Sequence, residues 1–265
     1  MLEFDNLTKI YPDGTVGLKN VSFTVPDRAF LSVIGLSGSG KSTLLRCVNR
    51  LIEPTSGRIL WDGVDITKAK GEDLRHIRRR IGMIFQQFNL VKRASVMTNV
   101  LSGRLGYVSP AGSLVNYFSR EDRQRAERAL ERVGMIDKQH NRADALSGGQ
   151  QQRVGIARAL MQEPRLMLAD EPVSSLDPVL AHSILGQLEQ LNKEDGIMVL
   201  CSLHHLDLVQ RYSTHVVALR DGEKVFEGDS SAIRKLTGAK FREIYGQDAE
   251  VIGAGRSITG MGDEP

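Results

Sequence analysis

Apolar and polar residues alternate along the first third of the chain, and this period of two predicts strands separated by turns. Turn residues stand between the apolar runs, as at Pro12-Asp13-Gly14 and Pro26-Asp27. The spacing becomes helical at Ser42, where a stripe of leucine and valine continues to Leu51. The predicted strands of this part are Leu2 to Ile10, Leu18 to Val25, Phe30 to Ile34, Arg58 to Trp61 and Ile81 to Phe85.

The middle of the chain has a helical period. Ser95 to Leu105 is predicted to be helical, and Arg120 to Val133 is predicted to be an amphipathic helix with one apolar stripe. A glycine-containing connection, Gly106 to Phe118, lies between them. Residues 92–163 are therefore predicted to form a helical subdomain inserted between two parts of an α/β core.

After Pro164 strands and helices alternate, which implies a parallel sheet covered on both faces. One domain is expected over residues 1–245, and the glycine-rich tail 246–265 is predicted to be disordered. The predicted elements are the strand Leu166 to Ala169, the helix Pro178 to Asn192, the strand Ile197 to Ser202, the helix His204 to Tyr212, and a hairpin of Val216 to Leu219 with Val225 to Glu227.

Composition narrows the class of protein. A chain of 265 residues with 41% hydrophobic content can bury a sizeable core. The net charge of +3 is too small to argue for a nucleic-acid partner. No signal peptide is visible, and no apolar run approaches the ~20 residues that span a bilayer. Cys47 and Cys201 lie inside apolar runs and are expected to be buried, unpaired thiols. A cytoplasmic location is expected.

A glycine-rich segment follows the third predicted strand and fits the pattern G-x-x-x-x-G-K-S. Its glycines let backbone N–H groups surround phosphate oxygens at a helix N-terminus. Lys41 is placed to bridge the β- and γ-phosphates of a nucleotide, and the Ser42 hydroxyl is placed to hold Mg²⁺. The predicted nucleotide-binding residues of this loop are Gly35, Leu36, Ser37, Gly38, Ser39, Gly40, Lys41, Ser42 and Thr43.

Two adjacent acids, Asp170 and Glu171, end the apolar strand that begins at Leu166. Open α/β sheets bind ligands at the carboxyl ends of their strands. Asp170 is predicted to reach Mg²⁺, and Glu171 to orient or deprotonate the attacking water. Because successive residues leave a strand on opposite sides, the two roles are separable.

The segment Leu146-Ser-Gly-Gly-Gln150 predicts the start of a helix that can also bind an anion. Ser147 suits an N-cap, and Gln150 three residues later completes a capping box. Gly148 and Gly149 leave the first-turn N–H groups uncovered, which makes a site for an anion.

With these three motifs the chain resembles the ATP-binding subunit of an ABC transporter, up to about residue 245. The resemblance implies an α/β fold: a P-loop NTPase core with an antiparallel β subdomain and an inserted helical subdomain. It implies ATP and Mg²⁺ as ligands and a head-to-tail dimer of two copies. In that dimer the signature residues Ser147, Gly148, Gly149 and Gln150 contact the nucleotide of the opposite subunit. The complete phosphate cradle elsewhere in the same chain agrees with this role in trans.

The resemblance implies roles for four further residues. Gln86 matches the glutamine loop, which senses Mg²⁺ and the attacking water, and His204 matches the switch histidine on the γ-phosphate. Asp177 lies in the D-loop at the dimer interface, and Tyr11 sits where an aromatic ring stacks on adenine. Alternatives stay open: a solvated amide at Gln86, His205 as the switch residue, or Tyr11 as a packed turn aromatic.

Four segments resemble the phosphonate importer branch of this family, namely Ile81 to Leu90, Asn99 to Gly106, Arg211-Tyr212 and the arrangement Leu203-His204-x-x-Asp207. The resemblance implies transmembrane permease subunits as partners and, indirectly, a periplasmic solute-binding protein. It also implies a location at the cytoplasmic face of the inner membrane.

Other functions compete with this hypothesis. Another ABC importer or an exporter would share every nucleotide-site motif. A soluble ABC-type ATPase acting on DNA or ribosomes would usually carry a long coiled-coil insertion or two cassettes. A P-loop kinase would lack the segment Leu146 to Gln150 and would need an acceptor site.

Overall fold

The computed structural model of the chain describes residues 1–108, 118–234 and 245. Its strands are β1 (Leu2–Ile10), β2 (Val16–Val25), β3 (Phe30–Ile34), β4 (Ser56–Trp61), β5 (Val64–Asp65), β6 (Ile81–Ile84), β7 (Leu166–Ala169), β8 (Met198–Ser202), β9 (His215–Arg220) and β10 (Glu223–Asp229). Its helices are α1 (Lys41–Val48), α2 (Gly71–Arg79), α3 (Val96–Leu101), α4 (Arg120–Arg132), α5 (Gly148–Leu160), α6 (Pro178–Asp195), α7 (Leu206–Tyr212) and α8 (Ser230–Arg234). Short 3₁₀ turns occupy Ile66–Lys68, Ser102–Arg104, Ile136–Lys138 and Ala143–Ala145.

A six-stranded sheet in the order β10-β9-β3-β8-β7-β6 forms the centre of the molecule. The strands from β9 to β6 run parallel, and β10 returns antiparallel to β9. Alternate residues of β7 face opposite sides, so Leu166 and Leu168 belong to one apolar core and Met167 and Ala169 to the other. Both faces are covered, as predicted, and the carboxyl ends of β3, β6, β7 and β8 meet at one edge.

A smaller antiparallel sheet, in the order β2-β1-β4-β5, covers one side of the central sheet. Its buried residues share a core with α1; Phe4 and Leu18 of this sheet and Leu44 of α1 belong to one apolar cluster. Phe4 also stacks on Phe23, with ring centroids 4.3 Å apart. Helix α1, which follows the glycine-rich loop, therefore packs between the two sheets.

Helices α3, α4 and α5 lie on the other side, where Val100, Ala126 and Val154 contribute to one core. Backbone hydrogen bonds join the two ends of this region, including Asp144 N–H to the Lys92 carbonyl at 3.0 Å. The same apolar core continues into one face of the central sheet. The limits 92–163 of an inserted helical subdomain therefore stay a prediction.

Several predicted helix boundaries are wrong: the helix predicted over Ser95 to Leu105 spans Val96–Leu101, and the one predicted to end at Asn192 continues to Asp195. In a third case local backbone conformation explains the difference. The helix predicted from Ser42 to Leu51 ends at Val48, because Arg50 adopts a left-handed conformation with φ 57°. Leu51 is consequently outside the stripe and 55% exposed. The helix predicted from His204 begins instead at Leu206, so His204 stands in the loop after β8.

The expected fold class is confirmed: an α/β core with a parallel sheet, an antiparallel sheet and a set of helices. Cys47 and Cys201 are buried free thiols, as predicted, and burial raises the pKa of Cys47 to about 12. Among the described residues, no helix combines the length and apolar character needed to cross a bilayer. The tail 246–265 and most of the connection Gly106 to Phe118 lie outside the described residues.

Candidate functional site

The loop between β3 and α1 requires glycine where other backbone comes close. Gly35 has φ 144°, and a Cβ there would lie 2.2 Å from the Leu219 carbonyl oxygen. Gly40 has φ 104°, and a Cβ there would lie 2.3 Å from the Gly17 carbonyl oxygen. A side chain at Gly35 or Gly40 would therefore force the backbone of Leu219 or Gly17 to move. The loop tip at residues 37–38 is exposed and open to a ligand.

The first turn of α1 has the N–H groups and the cation, Lys41, that an anion-binding site requires. The N-cap Gly40 brings no side chain to the first turn, whose N–H groups have no partner within the helix. Lys41 is 4% exposed, and its Nζ donates to the carbonyl oxygens of Gly35 at 2.9 Å and Leu36 at 2.8 Å. Burial lowers the pKa of Lys41, and nearby carboxylates oppose that effect.

Asp170 follows β7, is 1% exposed and accepts three hydrogen bonds from side chains. Ser42 Oγ donates to Oδ1 at 2.7 Å, Ser202 Oγ donates to Oδ1 at 3.3 Å, and Arg46 Nη2 donates to Oδ2 at 3.0 Å. The Ser42 and Asp170 oxygens are hard ligands of the kind that Mg²⁺ prefers. Within the described ranges no group of three or more His, Cys, Asp or Glu side chains could hold a metal ion.

Glu171 has different partners from Asp170, because its left-handed backbone, φ 47°, turns the side chain elsewhere. Its Oε1 lies 2.5 Å from His204 Nε2 and 3.8 Å from Lys41 Nζ. Gln86 Nε2 donates to Oε2 at 3.0 Å. The structure thus brings together the three predicted catalytic side chains, on the loops after β6, β7 and β8.

These neighbours keep the Glu171 carboxyl ionised. The hydrogen bond from His204 lowers the pKa of Glu171, the charges of His204 and Lys41 act the same way, and burial opposes them. A lowered folded-state pKa contributes stability above the unfolded pKa, and that stability is lost as pH falls through the folded value. At neutral pH the carboxylate is available as a hydrogen-bond acceptor. His205, the alternative to His204, is exposed and makes no hydrogen bond with Glu171.

Tyr11 lies beside the phosphate loop. Its hydroxyl is 3.0 Å from Thr43 Oγ1, and its ring passes so close to Gly17 that a Cβ there would meet Cε2 at 2.8 Å. Lys9 Nζ lies 5.3 Å from the ring centroid. The ring is half-buried next to Thr43 of the predicted nucleotide-binding loop, and stacking on adenine stays a prediction.

The segment at the start of α5 has the predicted capping geometry. Ser147 Oγ accepts from Gln150 N–H at 3.4 Å, and Gln150 Oε1 accepts from Ser147 N–H at 3.1 Å. Ser147 is exposed, and among the described residues a Cβ at Gly148 would have Leu176 and Phe88 alone within 4 Å. Neither neighbour belongs to the phosphate loop, so Gly148 is not in contact with that loop in its own chain.

Asp177 caps α6, since its Oδ1 accepts from Leu180 N–H at 3.0 Å. The adjoining surface includes Val179, which is 78% exposed. In the same turn Ser174 Oγ accepts from Gln86 Nε2 at 3.4 Å. A dimer contact through Asp177 stays a prediction.

Three residues of the site were missed by sequence reasoning. Arg46 and Ser202 donate to Asp170, and the Tyr245 hydroxyl accepts from the Gly35 N–H at 3.3 Å. Tyr245 is 1% exposed, and burial raises its pKa to about 12. Arg46 lies one turn after Ser42 in α1, and this spacing is the sequence signal that places Arg46 on the same helix face as Ser42.

The fold and the site together define an ATP-hydrolysing enzyme of the phosphate-loop class: an anion cradle beside one buried and one half-buried carboxylate with separate partners. A family model described as "ABC transporter" matches residues 18–174. The chain belongs to the ABC transporter family.

Curated relatives and solved structures agree with this assignment. A protein named "Phosphonates import ATP-binding protein PhnC" from Shouchella clausii is 52% identical over 96% of this chain and 95% of its own length. One of the same name from Staphylococcus haemolyticus is 51% identical over 95% of this chain and 98% of its own. The dimeric post-hydrolysis structure of the ATP-binding cassette MJ0796, bound to ADP and Pi, is 34% identical with a TM-score of 0.77 over 87% of this chain and 99% of its own. The ADP conformation of the cassette MJ1267 is 29% identical with a TM-score of 0.79 over 97% of this chain and 99% of its own.

Replacing His204 with Gln should raise the pKa of Glu171 toward its ordinary value, because the hydrogen bond from His204 is the main cause of the lowered pKa. Carbon-13 NMR titration of the Glu171 carboxyl in the nucleotide-free chain measures this directly. The matched control is His205→Gln, which should leave the titration unchanged. An unaltered Glu171 titration in His204→Gln would refute this electrostatic role.

Proposed function

We propose that this chain is the ATP-hydrolysing subunit of a phosphonate importer. The observation that carries the proposal is the convergence of Lys41, Gln86 and His204 on Glu171. The solute class rests on relatives that are 52% and 51% identical and are named for phosphonate import. Another importer or an exporter is the remaining alternative, because the nucleotide site itself is common to the family.

ATP binds through its phosphates at the loop formed by residues 35–43. The amides at the start of α1 and the Lys41 ammonium neutralise the β- and γ-phosphates. Ser42, Asp170 and Gln86 would hold Mg²⁺, which would supply positive charge that offsets the charge of the transferred phosphoryl group. Tyr11 stacks against the adenine ring. Arg46 and Ser202 hold the Asp170 carboxylate in one orientation.

Hydrolysis needs a water positioned in line with the γ-phosphate. Glu171 accepts a proton from this water or orients it, and its lowered pKa keeps it unprotonated for that purpose. His204 contacts the γ-phosphate. Gln86, which donates to Oε2 of Glu171, helps to orient the water. Catalysis of this kind consists mostly of positioning and charge stabilisation.

Two copies assemble head to tail, and each signature segment completes the site of the other copy. The exposed Ser147, the position of Gly148 next to Leu176 and Phe88 and not next to the phosphate loop of its own chain, and the dimeric form of the MJ0796 cassette support this arrangement. Asp177 lies at the interface. The dimer attaches to transmembrane permease subunits at the cytoplasmic face of the inner membrane, and a periplasmic solute-binding protein delivers the solute to them.

Replacing Glu171 with Gln should slow phosphate release by about a hundredfold or more and leave ATP affinity within about twofold, because the amide keeps the shape but cannot take a proton. Steady-state phosphate release and equilibrium ATP binding are measured on the same preparation. Unimpaired hydrolysis by Glu171→Gln would rule out this role for Glu171.

A mixture of Lys41→Ala and Ser147→Ala chains tests the head-to-tail arrangement. In a mixed dimer one site carries both defects and the other carries neither, so about a quarter of all sites in an equal mixture should be intact. ATP hydrolysis by the mixture should exceed that of either variant alone. If the signature acted within its own chain, every site would be defective and no activity would be regained.

The solute is tested in the cell. A strain in which this gene is the only copy of its kind should grow on a phosphonate as sole phosphorus source, and deletion should abolish that growth without affecting growth on phosphate. Restoration by the parent chain, but not by Glu171→Gln, links uptake to hydrolysis. Undiminished growth of the deletion strain on the phosphonate would contradict the assignment.

A further inference from the structure

The main chain directly after Gln86 is held by a residue that the mechanism above does not use. Phe88 and Asn89 both have left-handed backbone, with φ 58° and 50°. Their carbonyl oxygens accept from the guanidinium of Arg158, from Nη2 to Phe88 at 2.8 Å and from Nη1 to Asn89 at 2.5 Å. The planar fork of an arginine matches two such acceptors at once.

Arg158 lies in the last turn of α5, the helix that begins with the signature segment. Burial lowers the pKa of this guanidinium. In the described part of the chain its hydrogen-bond partners are these two neutral carbonyls, and no carboxylate forms an ion pair with it. Arg158 is half-buried, and a cation withdrawn this far from water without a counter-ion is costly, so simple packing would be served better by an apolar residue.

The other end of α5 contacts the same segment. A Cβ at Gly148 would lie 3.7 Å from Phe88 Cζ. The residues after Gln86 are therefore held at the first turn of α5 through the Phe88 ring and at its last turn through Arg158. Gln86 itself lies two residues away from Phe88 and donates to Glu171.

We infer that Arg158 is a positioning residue that ties the segment Gln86 to Asn89 to α5, so that the position of the signature helix sets the position of Gln86 against Glu171. The inference rests on the proposed function, in which α5 serves the nucleotide of the partner copy. Movement of α5 when it engages that nucleotide is then transmitted to Glu171 in its own chain. The two nucleotide sites are coupled through main-chain carbonyls.

Kinetics of Arg158→Met and Arg158→Lys in the full-length chain test this inference. Arg158→Met should lower kcat roughly tenfold with KM for ATP changed less than twofold, because the phosphate loop is untouched. Arg158→Lys, which keeps the charge and loses the fork, should be intermediate. The matched control is Arg153→Met on the same helix, whose guanidinium donates to Ser183 Oγ at 2.9 Å and should leave kcat unchanged.

A double-mutant cycle with Gln86→Ala separates positioning from a general loss of structure. If Arg158 acts through Gln86, the double variant should have the kcat of Gln86→Ala alone. Losses that multiply, or a parental kcat in Arg158→Met, would overturn the inference. If Arg158→Met does not fold, as judged by its melting temperature, the same cycle is run with Arg158→Lys. Failure of the proposed function is distinguishable, because it would appear as activity in Glu171→Gln whatever Arg158 does.

Discussion

The arrangement of the site depends on two adjacent carboxylates, Asp170 and Glu171, which directly follow β7. Buried carboxylates are stable only when donors surround them, and here each has its own set. Asp170 takes donors from α1 and β8, whereas Glu171 takes them from the loops after β6 and β8. The left-handed backbone of Glu171 separates the two sets, and in the proposed function one carboxylate would serve the metal and the other the attacking water.

Packing gives the signature segment a second constraint besides anion binding. Gly148 has Leu176 on one side and Phe88 on the other, each within 4 Å of the position of a Cβ. Gly149 is tighter, since a Cβ there would lie 3.0 Å from Leu180. A Cβ at Gly148 would make ordinary van der Waals contacts, whereas at Gly149 the Leu180 side chain would have to shift, so packing constrains Gly149 more tightly than Gly148.

Local patterns predicted much of the fold and of the site. Strands β1, β3 and β7 have their predicted bounds because the turn residues around them are explicit. The phosphate loop, Asp170 and Glu171 follow from short motifs with a known structural context. The partners of these residues could not be found this way. Arg46 and Asp170 are 124 residues apart, and no periodicity encodes such a pair. The end of α1 at Val48 could not be predicted, because the left-handed conformation of Arg50 does not show in the pattern of apolar residues.

The hydrogen bond between Tyr245 and Gly35 spans 210 positions of the chain and has a consequence for biosynthesis. Chains are made from the amino terminus, and their early segments begin to fold while later ones are still on the ribosome. The first amide of the phosphate loop therefore lacks this partner until 210 further residues have been translated. A nascent chain that stops short of residue 245 leaves this buried N–H without that acceptor. Completion of the loop in this way follows the synthesis of all strands from β1 to β10.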